Sequence, residues 1–373
     1  MIGFYVNHTS RFQRNTGIQR CVRAIARGLI ELGEPLVPLL WEGQSSAFAL
    51  AGLEDREHLS CWHGPAPAAW QQQLPPPGSW LMVVELISGP YQPSWGALRA
   101  AAQRLGWRVL VVFHDAIPLG WGGAAANYHG RYMAGLAAQD LVLANSRPAA
   151  AELEQFWRQQ RLGPQRPLVL LPLAEELPGS SRQLEPAPPA AGALEVLCVG
   201  SLEPRKNHCN LLKALAWLEA QQRPTGPPLI RLTLLGWAND ATVVALVERA
   251  LALGLALRWE AEADDHRLLA AYQQAAFTVY PSLLEGYGLP VAESLWLGRP
   301  CICSGEGALA ERAEGGGCLV VDMRSWRALA LALKTMAEDN ALRARLQREL
   351  AHRPLRRWTE YAAELLALLG AMG

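Results

Sequence analysis

A regular alternation of short apolar runs with segments of helical periodicity is the feature that most constrains how this chain can fold. Such alternation is typical of parallel strands connected by crossover helices. It stops at 174–193, a stretch rich in Pro, Ala and Ser, and then starts again. With 373 residues the chain is long enough for two domains that each bury a core. We therefore predict an α/β protein with two doubly wound domains, 1–173 and 194–357, joined by a linker at 174–193.

The apolar runs give the expected strands, and the periodic segments give the expected helices. The strands of the first half are Ile2–Val6, Trp80–Leu86, Arg108–His114, Leu141–Ala144 and Leu168–Leu173. The strands of the second half are Leu194–Val199, Ile230–Leu235, Leu255–Trp259, Phe277–Tyr280, Cys301–Ser304 and Cys318–Val321. Helices are expected over Gly17–Leu32 and Pro148–Gln160. A final helix within 358–373 could pack back on either domain, the N-terminal one included.

Composition excludes several partners and compartments. The formal net charge is zero, so a nucleic acid held by general electrostatics is not expected. No apolar run reaches the roughly 20 residues of a membrane-spanning helix, and the first residues lack the build of a signal peptide. The seven cysteines are odd in number and contain no Cys-x-x-Cys pair, which favours reduced thiols. We therefore expect a cytoplasmic protein.

The second domain opens with a basic turn after its first strand. In "LEVLCVGSLEPRKNHCNLLKAL" the strand ends at Gly200, and Asn207 is expected to cap the next helix. Arg205 and Lys206 would then lie beside a helix N-terminus, where N–H groups and the helix dipole favour an anion. On its own, this pair could equally be a solvated basic turn.

A second strand-end turn carries two carboxylates. In "YPSLLEGYGLPVAESLWLG" Glu285 lies in the turn, and Glu293 lies eight positions later in the following helix. Gly286 and Gly288 would let the backbone approach a ligand closely. Carboxylates accept hydrogen bonds from sugar hydroxyls, although singly Glu285 could be a solvated loop acid and Glu293 a helix-surface acid. Because ligands bind at the carboxyl ends of strands in such sheets, the two turns together favour a nucleotide sugar.

Both turns resemble the donor-binding motifs of retaining GT-B glycosyltransferases, specifically glycosyltransferase family four. The resemblance covers residues 194–325 and includes the two glutamates eight positions apart. It implies a fold of two Rossmann-like domains that face each other across a cleft. It also implies that Arg205 and Lys206 hold the donor diphosphate, that Glu293 holds the ribose, and that Glu285 faces the transferred sugar. The backbone expected to support the diphosphate or the sugar is that of Gly286, Tyr287, Gly288 and Leu289.

The first half resembles the same family at a loop and at a strand end. "RFQRNTGIQRCVRAIARGLIELG" resembles the glycine loop and first helix of bacterial members, which implies that Gly17 lies against donor or acceptor. "VLVVFHDAIPL" ends in a His-Asp pair, and the resemblance implies that His114 lies near the reacting sugar. A structural role for His114 is the alternative. Arg20, Arg23 and Arg27 are expected on a solvated helix face, and weak peripheral attraction to an anionic membrane is the lesser interpretation.

The expected reaction follows from the resemblance and from a missing motif. No Asp-x-Asp follows a suitable strand, so Arg205, Lys206 and helix N-termini are expected to neutralise the leaving diphosphate without a metal or another cofactor. The resemblance implies front-face transfer of a hexose with retention, and it favours GDP-mannose as donor. The acceptor would be a saccharide, or a lipid-linked glycan at the inner face of the membrane. A nucleotide-sugar epimerase or hydrolase of the same fold and a non-catalytic nucleotide-sugar-binding subunit are the alternatives.

Overall fold

The computed structural model describes residues 1–13, 15–88, 92–163, 167–185, 192–222 and 226–372. The chain forms two compact units. Unit 1 contains Met1–Ala174 and Arg356–Gly373, and unit 2 contains Glu175–Leu355. Each unit is built on one sheet whose strands are joined by helices. The α/β class predicted from the alternating pattern is confirmed.

The sheet of unit 1 is almost entirely parallel. Its strands are β1 (Ile2–Tyr5), β2 (Leu36–Glu42), β3 (Ala47–Leu50), β4 (Trp80–Val83), β5 (Arg108–Phe113), β6 (Leu141–Ala144) and β7 (Leu168–Leu170). Their spatial order is β3-β2-β1-β4-β5-β6-β7, and only the β2–β3 pair is antiparallel. The strand order reverses between β1 and β4, so the carboxyl ends of these strands form the topological switch point, where such folds bind ligands.

The helices between these strands bury apolar faces against the sheet. They are α1 (Gly17–Glu31), α2 (Leu53–Ser60), α3 (Trp95–Arg104), α4 (Gly123–Leu136) and α5 (Arg147–Gln159). The cap of α5 agrees with its sequence, because the Ser146 hydroxyl accepts the Ala149 N–H at 3.2 Å. The core between sheet and helices is rich in aromatic side chains, including Trp95, Trp107 and Trp157.

Unit 2 has the strand order of a Rossmann fold. Its strands are β8 (Leu194–Val199), β9 (Ile230–Leu235), β10 (Leu257–Glu260), β11 (Phe277–Tyr280), β12 (Cys301–Ser304) and β13 (Cys318–Val321). Their order is β10-β9-β8-β11-β12-β13, and every pair is parallel. The helices are α6 (His208–Gln222), α7 (Ala241–Ala252), α8 (Asp265–Gln274), α9 (Leu289–Trp296), α10 (Gly307–Ala313), α11 (Trp326–Glu338) and α12 (Asn340–Ala351). The switch point of this sheet lies between β8 and β11.

The last helix, α13 (Trp358–Ala371), belongs to unit 1 and packs against α1. The approach is close, because a Cβ added to Gly28 would lie 2.6 Å from the Trp358 carbonyl oxygen. Trp358, Tyr361 and Leu365 are buried by this packing. The C-terminal end of the chain therefore completes unit 1.

Five elements of unit 1 are absent from the sequence-based prediction: β2, β3, α2, α3 and α4. Pro38 lies inside β2, and proline normally argues against a paired strand. Here its carbonyl oxygen accepts the Ala51 N–H at 2.9 Å. Four predicted strands are also too long, since β1 ends at Tyr5, β4 at Val83, β5 at Phe113 and β7 at Leu170. Residues 84–86 and His114 therefore lie beyond the strand ends, where ligand-binding residues are found.

The prediction of a linker at 174–193 is wrong over the part that the structure describes. Residues 175–185 pack on unit 2, and 186–191 lie outside the described residues. The Gln183 N–H donates to the Trp296 carbonyl at 3.1 Å, and the Arg182 guanidinium donates to two carbonyls near the end of α12. Leu177 is buried in the core of unit 2. The abundance of Pro and Ala conceals these anchoring side chains.

Candidate active site

The candidate site of unit 2 lies where the loops after β8 and β11 meet. These strands are neighbours at the switch point, so both loops leave the same edge of the sheet. The first loop contains a short 3₁₀ turn, Pro204–Lys206. The Leu283 N–H in the second loop donates to the Arg205 carbonyl at 2.9 Å. The two turns that the sequence singles out are thus joined directly.

One carboxylate oxygen of Glu285 holds the site together. Its Oε1 accepts from Arg205 Nη1 at 2.9 Å, Lys206 Nζ at 2.6 Å, the Tyr280 hydroxyl at 2.8 Å and the Ser282 hydroxyl at 2.5 Å. Within the described ranges, no group donates to Oε2. The side chain is 10% exposed. Glu285 is therefore fixed through one oxygen and can offer the other to a hydroxyl donor.

Glu285 is held in its ionised form by these neighbours. Burial acts to raise its pKa, but the charges of Lys206 and Arg205 and the hydrogen bonds from Lys206 and Ser282 lower it, and the net pKa is below the usual value. Burial and the Glu285 charge keep the pKa of Tyr280 well above its usual value, so its hydroxyl remains a donor. A carboxylate with a lowered pKa is a weak base. This environment suits positioning and charge stabilisation better than proton abstraction.

The two cations are paired within the site. Lys206 is buried, lies between the Tyr280 hydroxyl at 2.5 Å and Glu285, and packs over the Tyr280 ring. Arg205 also contacts Glu203, at 2.8 Å. Burial acts to lower the pKa of Arg205, but Glu285 and Glu203 raise it, and the net pKa is above the usual value. The two cations that are expected to bind the diphosphate therefore contact two carboxylates. A donor diphosphate would have to displace these carboxylates in order to bind.

Asn207 differs from its expected role as a helix cap. It lies directly before α6 with a positive φ of 58°, and its side-chain amide donates to the carbonyls of Pro281, at 3.2 Å, and Met323, at 2.7 Å. Among the described residues, no N–H group at the start of α6 donates to its side-chain oxygen, which is the atom that would cap the helix. Asn207 therefore braces the loop after β8 against two other segments.

Glu293 lies in α9 and is only 1% exposed. Its Oε2 accepts from the Tyr272 hydroxyl at 3.1 Å. The two glutamates eight positions apart therefore differ in environment, since Glu285 is partly open and Glu293 is enclosed. A role for Glu293 at the donor ribose stays a prediction.

The glycine turn between these glutamates is shaped by its packing. Gly288 caps α9 with a φ of +90°, and a Cβ there would lie 2.6 Å from Leu309 Cδ2. Only glycine combines this backbone conformation with this space. Leu289 begins α9, and Gly286 is buried. The Tyr287 side chain is 4% exposed and contacts Arg312 and Glu175, so its expected donor contact is limited to the backbone.

His114 follows β5 in unit 1 and is buried. Its Nε2 lies 2.7 Å from the Val84 carbonyl oxygen. Because a carbonyl only accepts, Nε2 carries the proton and the neutral ring keeps an acceptor at Nδ1. Burial lowers its pKa, which favours the neutral form. The ring can therefore accept a hydrogen bond, and its role near a reacting sugar stays a prediction.

Helix α1 begins at Gly17, and this residue is exposed. As the first helical residue, it lies behind a capping box in which Thr16 and Gln19 bond each other's backbone.

The expectation of a solvated arginine face is wrong for Arg23, which is 2% exposed and donates to the carbonyls of Phe12 and His58 at 3.2 Å. These two carbonyl oxygens accept hydrogen bonds from the guanidinium and so stabilise its buried charge. With Arg23 buried, the lesser interpretation of weak membrane attraction would have to rest on Arg20 and Arg27 alone.

Glu85 is a buried carboxylate that the sequence-based reasoning missed. It follows β4 at the switch point of unit 1, is 2% exposed, and accepts the N–H groups of His8 at 2.7 Å and Thr9 at 2.5 Å. Burial raises its pKa to about 7 despite these hydrogen bonds. Its signal is a single glutamate inside the apolar run "WLMVVEL", which the sequence-based prediction places in the strand Trp80–Leu86.

We expect Glu85 to make stability depend on pH. Its folded-state pKa of about 7 lies above the ordinary value of 4.5, so the folded protein binds more protons between these values. Its stabilising contribution is therefore complete at low pH and is lost as the pH rises through 7, by up to about 3 kcal/mol. Urea unfolding of wild type and Glu85→Gln from about pH 5 to about pH 8 measures this, and the variant should show the flatter profile. Glu42→Gln, at an exposed carboxylate, is the control; equal slopes for all three proteins would contradict the prediction.

Two searches of the described residues bear on metals and membranes. Within those ranges, no group of three or more His, Cys, Asp or Glu side chains is arranged to hold a metal ion. Nor does any helix in the described part of the chain have the length and apolar character needed to cross a membrane.

Comparison with known proteins agrees with this architecture. Residues 182–353 match the family described as "Glycosyl transferases group 1". The O-antigen chain mannosyltransferase B of Escherichia coli is 35% identical over 147 residues, which cover 39% of this chain and 38% of that protein. The D-inositol 3-phosphate glycosyltransferase of Corynebacterium glutamicum (strain R) is 29% identical over 230 residues, which cover 58% and 54%. The chain thus spans between about a third and about half of the length of these relatives.

Solved structures show the same fold over the whole chain. A sucrose-phosphate synthase from Thermosynechococcus elongatus superposes with a TM-score of 0.66 at 18% identity, covering 100% of this chain and 98% of that one. The Anabaena protein HepE, in complex with UDP and glucose, gives 0.66 at 16% identity and covers 99% of both chains. Residues 182–353 therefore resemble the group 1 glycosyltransferases. The fold of the chain is that of the GT-B glycosyltransferases among the solved structures.

Proposed function

We propose that this chain is a retaining hexosyltransferase that moves a sugar from a nucleoside-diphosphate donor to a saccharide or a lipid-linked glycan. The observation that carries the proposal is the state of Glu285, whose Oε1 is fixed by Arg205 and Lys206 while Oε2 receives no hydrogen bond within the described ranges. An ionised oxygen presented in this way accepts sugar hydroxyls. The cations beside it match the charge of a diphosphate.

Donor binding would exchange the partners of these cations. The diphosphate would bind Arg205 and Lys206 together with N–H groups of the glycine turn at the start of α9. Glu285 would then release part of its contact with the cations and receive the hydroxyls of the transferred sugar. Before the donor binds, Arg205 and Lys206 are paired with Glu203 and Glu285. Donor binding would replace carboxylate partners of these cations with the diphosphate, so neither cation would be buried without a partner.

The proposed reaction proceeds on one face of the sugar. The bond from C1 to the phosphate oxygen breaks, the bond from C1 to the acceptor oxygen forms, and the departing phosphate oxygen takes the acceptor proton. Arg205 and Lys206 stabilise the charge that develops on the diphosphate. In this scheme Glu285 does not act as a nucleophile. It positions the sugar instead.

Mannose from GDP-mannose is the favoured transfer. The Escherichia coli relative, which is 35% identical over 147 residues, is named as a mannosyltransferase. The Anabaena structure was solved with UDP and glucose, so UDP-glucose is the competing donor. In this proposal the protein acts in the cytoplasm, with at most weak peripheral contact with the inner face of the membrane.

We expect donor turnover to persist in EDTA, because in this proposal Arg205 and Lys206 supply the positive charge that a diphosphate-bound metal would otherwise supply. The measurement is release of nucleoside diphosphate from GDP-mannose and UDP-glucose, with EDTA or with manganese. Loss of turnover in EDTA that manganese restores would contradict the metal-independent scheme. Release from neither donor, with no binding of GDP or UDP, would contradict the proposed function itself.

A further inference from the structure

The Tyr287 side chain takes part in a buried polar network next to the glycine turn. Its hydroxyl accepts from Arg312 Nη1 at 2.8 Å and lies 3.4 Å from Glu175 Oε1. Arg312 Nη1 also donates to that Glu175 oxygen, at 3.1 Å. The Arg312 guanidinium packs over the Tyr287 ring at 4.3 Å from its centroid, a cation–π contact.

The network joins three segments that are far apart in the chain. Glu175 is the first residue of unit 2, Tyr287 lies between the two glycines of the turn, and Arg312 lies in α10. All three side chains are buried. Buried charges are stable only when they are paired and hydrogen-bonded, so this geometry is demanding. Packing of an ordinary strand-to-helix turn does not require it.

Helix α10 also supports the turn through apolar contact. Leu309 lies one helical turn before Arg312 and packs directly against Gly288, leaving no space for a Cβ. The turn is thus held at two consecutive residues, Gly288 by sterics and Tyr287 by the polar network. The orientation of the turn is therefore set by these contacts with α10 and Glu175.

We propose that Arg312 and Glu175 are positioning residues that fix the glycine turn, through Tyr287, in the orientation needed to bind the donor diphosphate and to aim Glu285. The inference rests on the proposed function for its second half, donor binding. Neither Arg312 nor Glu175 contacts the donor in this account. Small displacements of a binding group lower activity strongly, so anchoring of this kind affects turnover at a distance.

Tyr287→Phe tests the network with the smallest change of volume. It removes the hydroxyl and keeps the ring over Arg312, so the fold is retained. We expect amide hydrogen exchange over residues 282–290 to become about tenfold faster, since one hydrogen bond to a charged group is lost. The Kd for GDP or UDP, whichever the wild type binds, should rise about tenfold for the same reason. Arg312→Met should show both effects, and Arg312→Lys should recover part of each.

Two variants serve as matched controls. Tyr361→Phe removes another buried hydroxyl, one that has no partner among the described residues. Arg324→Met removes another arginine of unit 2, whose ion pair with Glu306 is exposed. Neither should change exchange over 282–290. Unchanged exchange in Tyr287→Phe and Arg312→Met would overturn the positioning role. Faster exchange with unchanged nucleotide affinity would overturn its link to the donor, and a wild type that binds neither nucleotide would overturn the proposed function and that link together.

Discussion

Replacing Glu285 with glutamine is expected to abolish nearly all sugar transfer while the donor still binds. The amide keeps the size of the side chain, but it removes the charge that Lys206 and Arg205 face at 2.6 and 2.9 Å. It can also place an NH₂ group where Oε2 would accept a sugar hydroxyl. Loss of one preorganised electrostatic contact typically costs about 3 kcal/mol, so kcat should fall at least about a hundredfold.

The affinity for nucleoside diphosphate should remain or increase in Glu285→Gln, since Arg205 and Lys206 lose a competing carboxylate. Parallel measurement of kcat and of nucleotide Kd separates these two effects. Glu203→Gln is the matched control, because the Glu203 carboxylate also contacts Arg205, at 2.8 Å, whereas the ion pair described for Lys206 is with Glu285. Its kcat should fall much less. Near-normal turnover in Glu285→Gln would remove this residue from the mechanism.

Replacing Lys206 with methionine is expected to weaken donor binding about a hundredfold, by the loss of one buried charge contact to the diphosphate. Methionine is similar in length and fits beside the Tyr280 ring, which the lysine now covers. Because Lys206 lowers the pKa of Glu285, that pKa should rise in the variant. Glu285 acts as a carboxylate, so the acidic limb of the pH–activity profile should move to higher pH.

The control for Lys206→Met is Lys334→Met, at a partly exposed lysine paired with Glu338 on α11. It should bind donor as the wild type does. Donor titration and the pH profile of kcat/KM are the measurements. Unchanged nucleotide affinity in Lys206→Met, and also in Arg205→Ala, would show that these cations do not bind the diphosphate.

The sequence predicted the class of fold and the two loops of the candidate site because both depend on local pattern. Apolar runs alternating with helical periodicity require parallel strands with crossovers, and their carboxyl ends lie at one edge. The turn with Arg205 and Lys206 and the turn with Glu285 therefore had to be near each other. The hydrogen bond from Leu283 N–H to the Arg205 carbonyl shows how near.

The partners of these residues could not be predicted in the same way. Tyr280 ends a buried strand and looks like a core residue, yet its hydroxyl binds Glu285. Tyr287 looks exposed between two glycines, yet it points inward to Arg312 and Glu175, which are 25 and 112 positions away. Side-chain direction at a turn depends on tertiary packing, which no local pattern encodes.

The burial of two charged side chains also could not be predicted from the sequence. Glu85 lies inside an apolar run and Arg23 lies on a helix that looks amphipathic, and both are buried by partners supplied from distant loops. Hydrophobic periodicity assigns such residues to solvent or overlooks them. The linker prediction failed for a related reason. Arg182 and Leu177 hold the described part of 174–193 against unit 2, although this segment is rich in Pro and Ala.

The most direct test of the central claim is to count both products of one reaction. The pure protein is incubated in EDTA with GDP-mannose or UDP-glucose and a glycan acceptor, and nucleoside diphosphate and new glycoside are quantified in the same sample. The account predicts equal amounts of the two from one donor, an anomeric configuration identical to that of the donor, and neither product from Glu285→Gln. Nucleoside diphosphate without glycoside, an epimerised donor, or a glycoside of inverted configuration would contradict it.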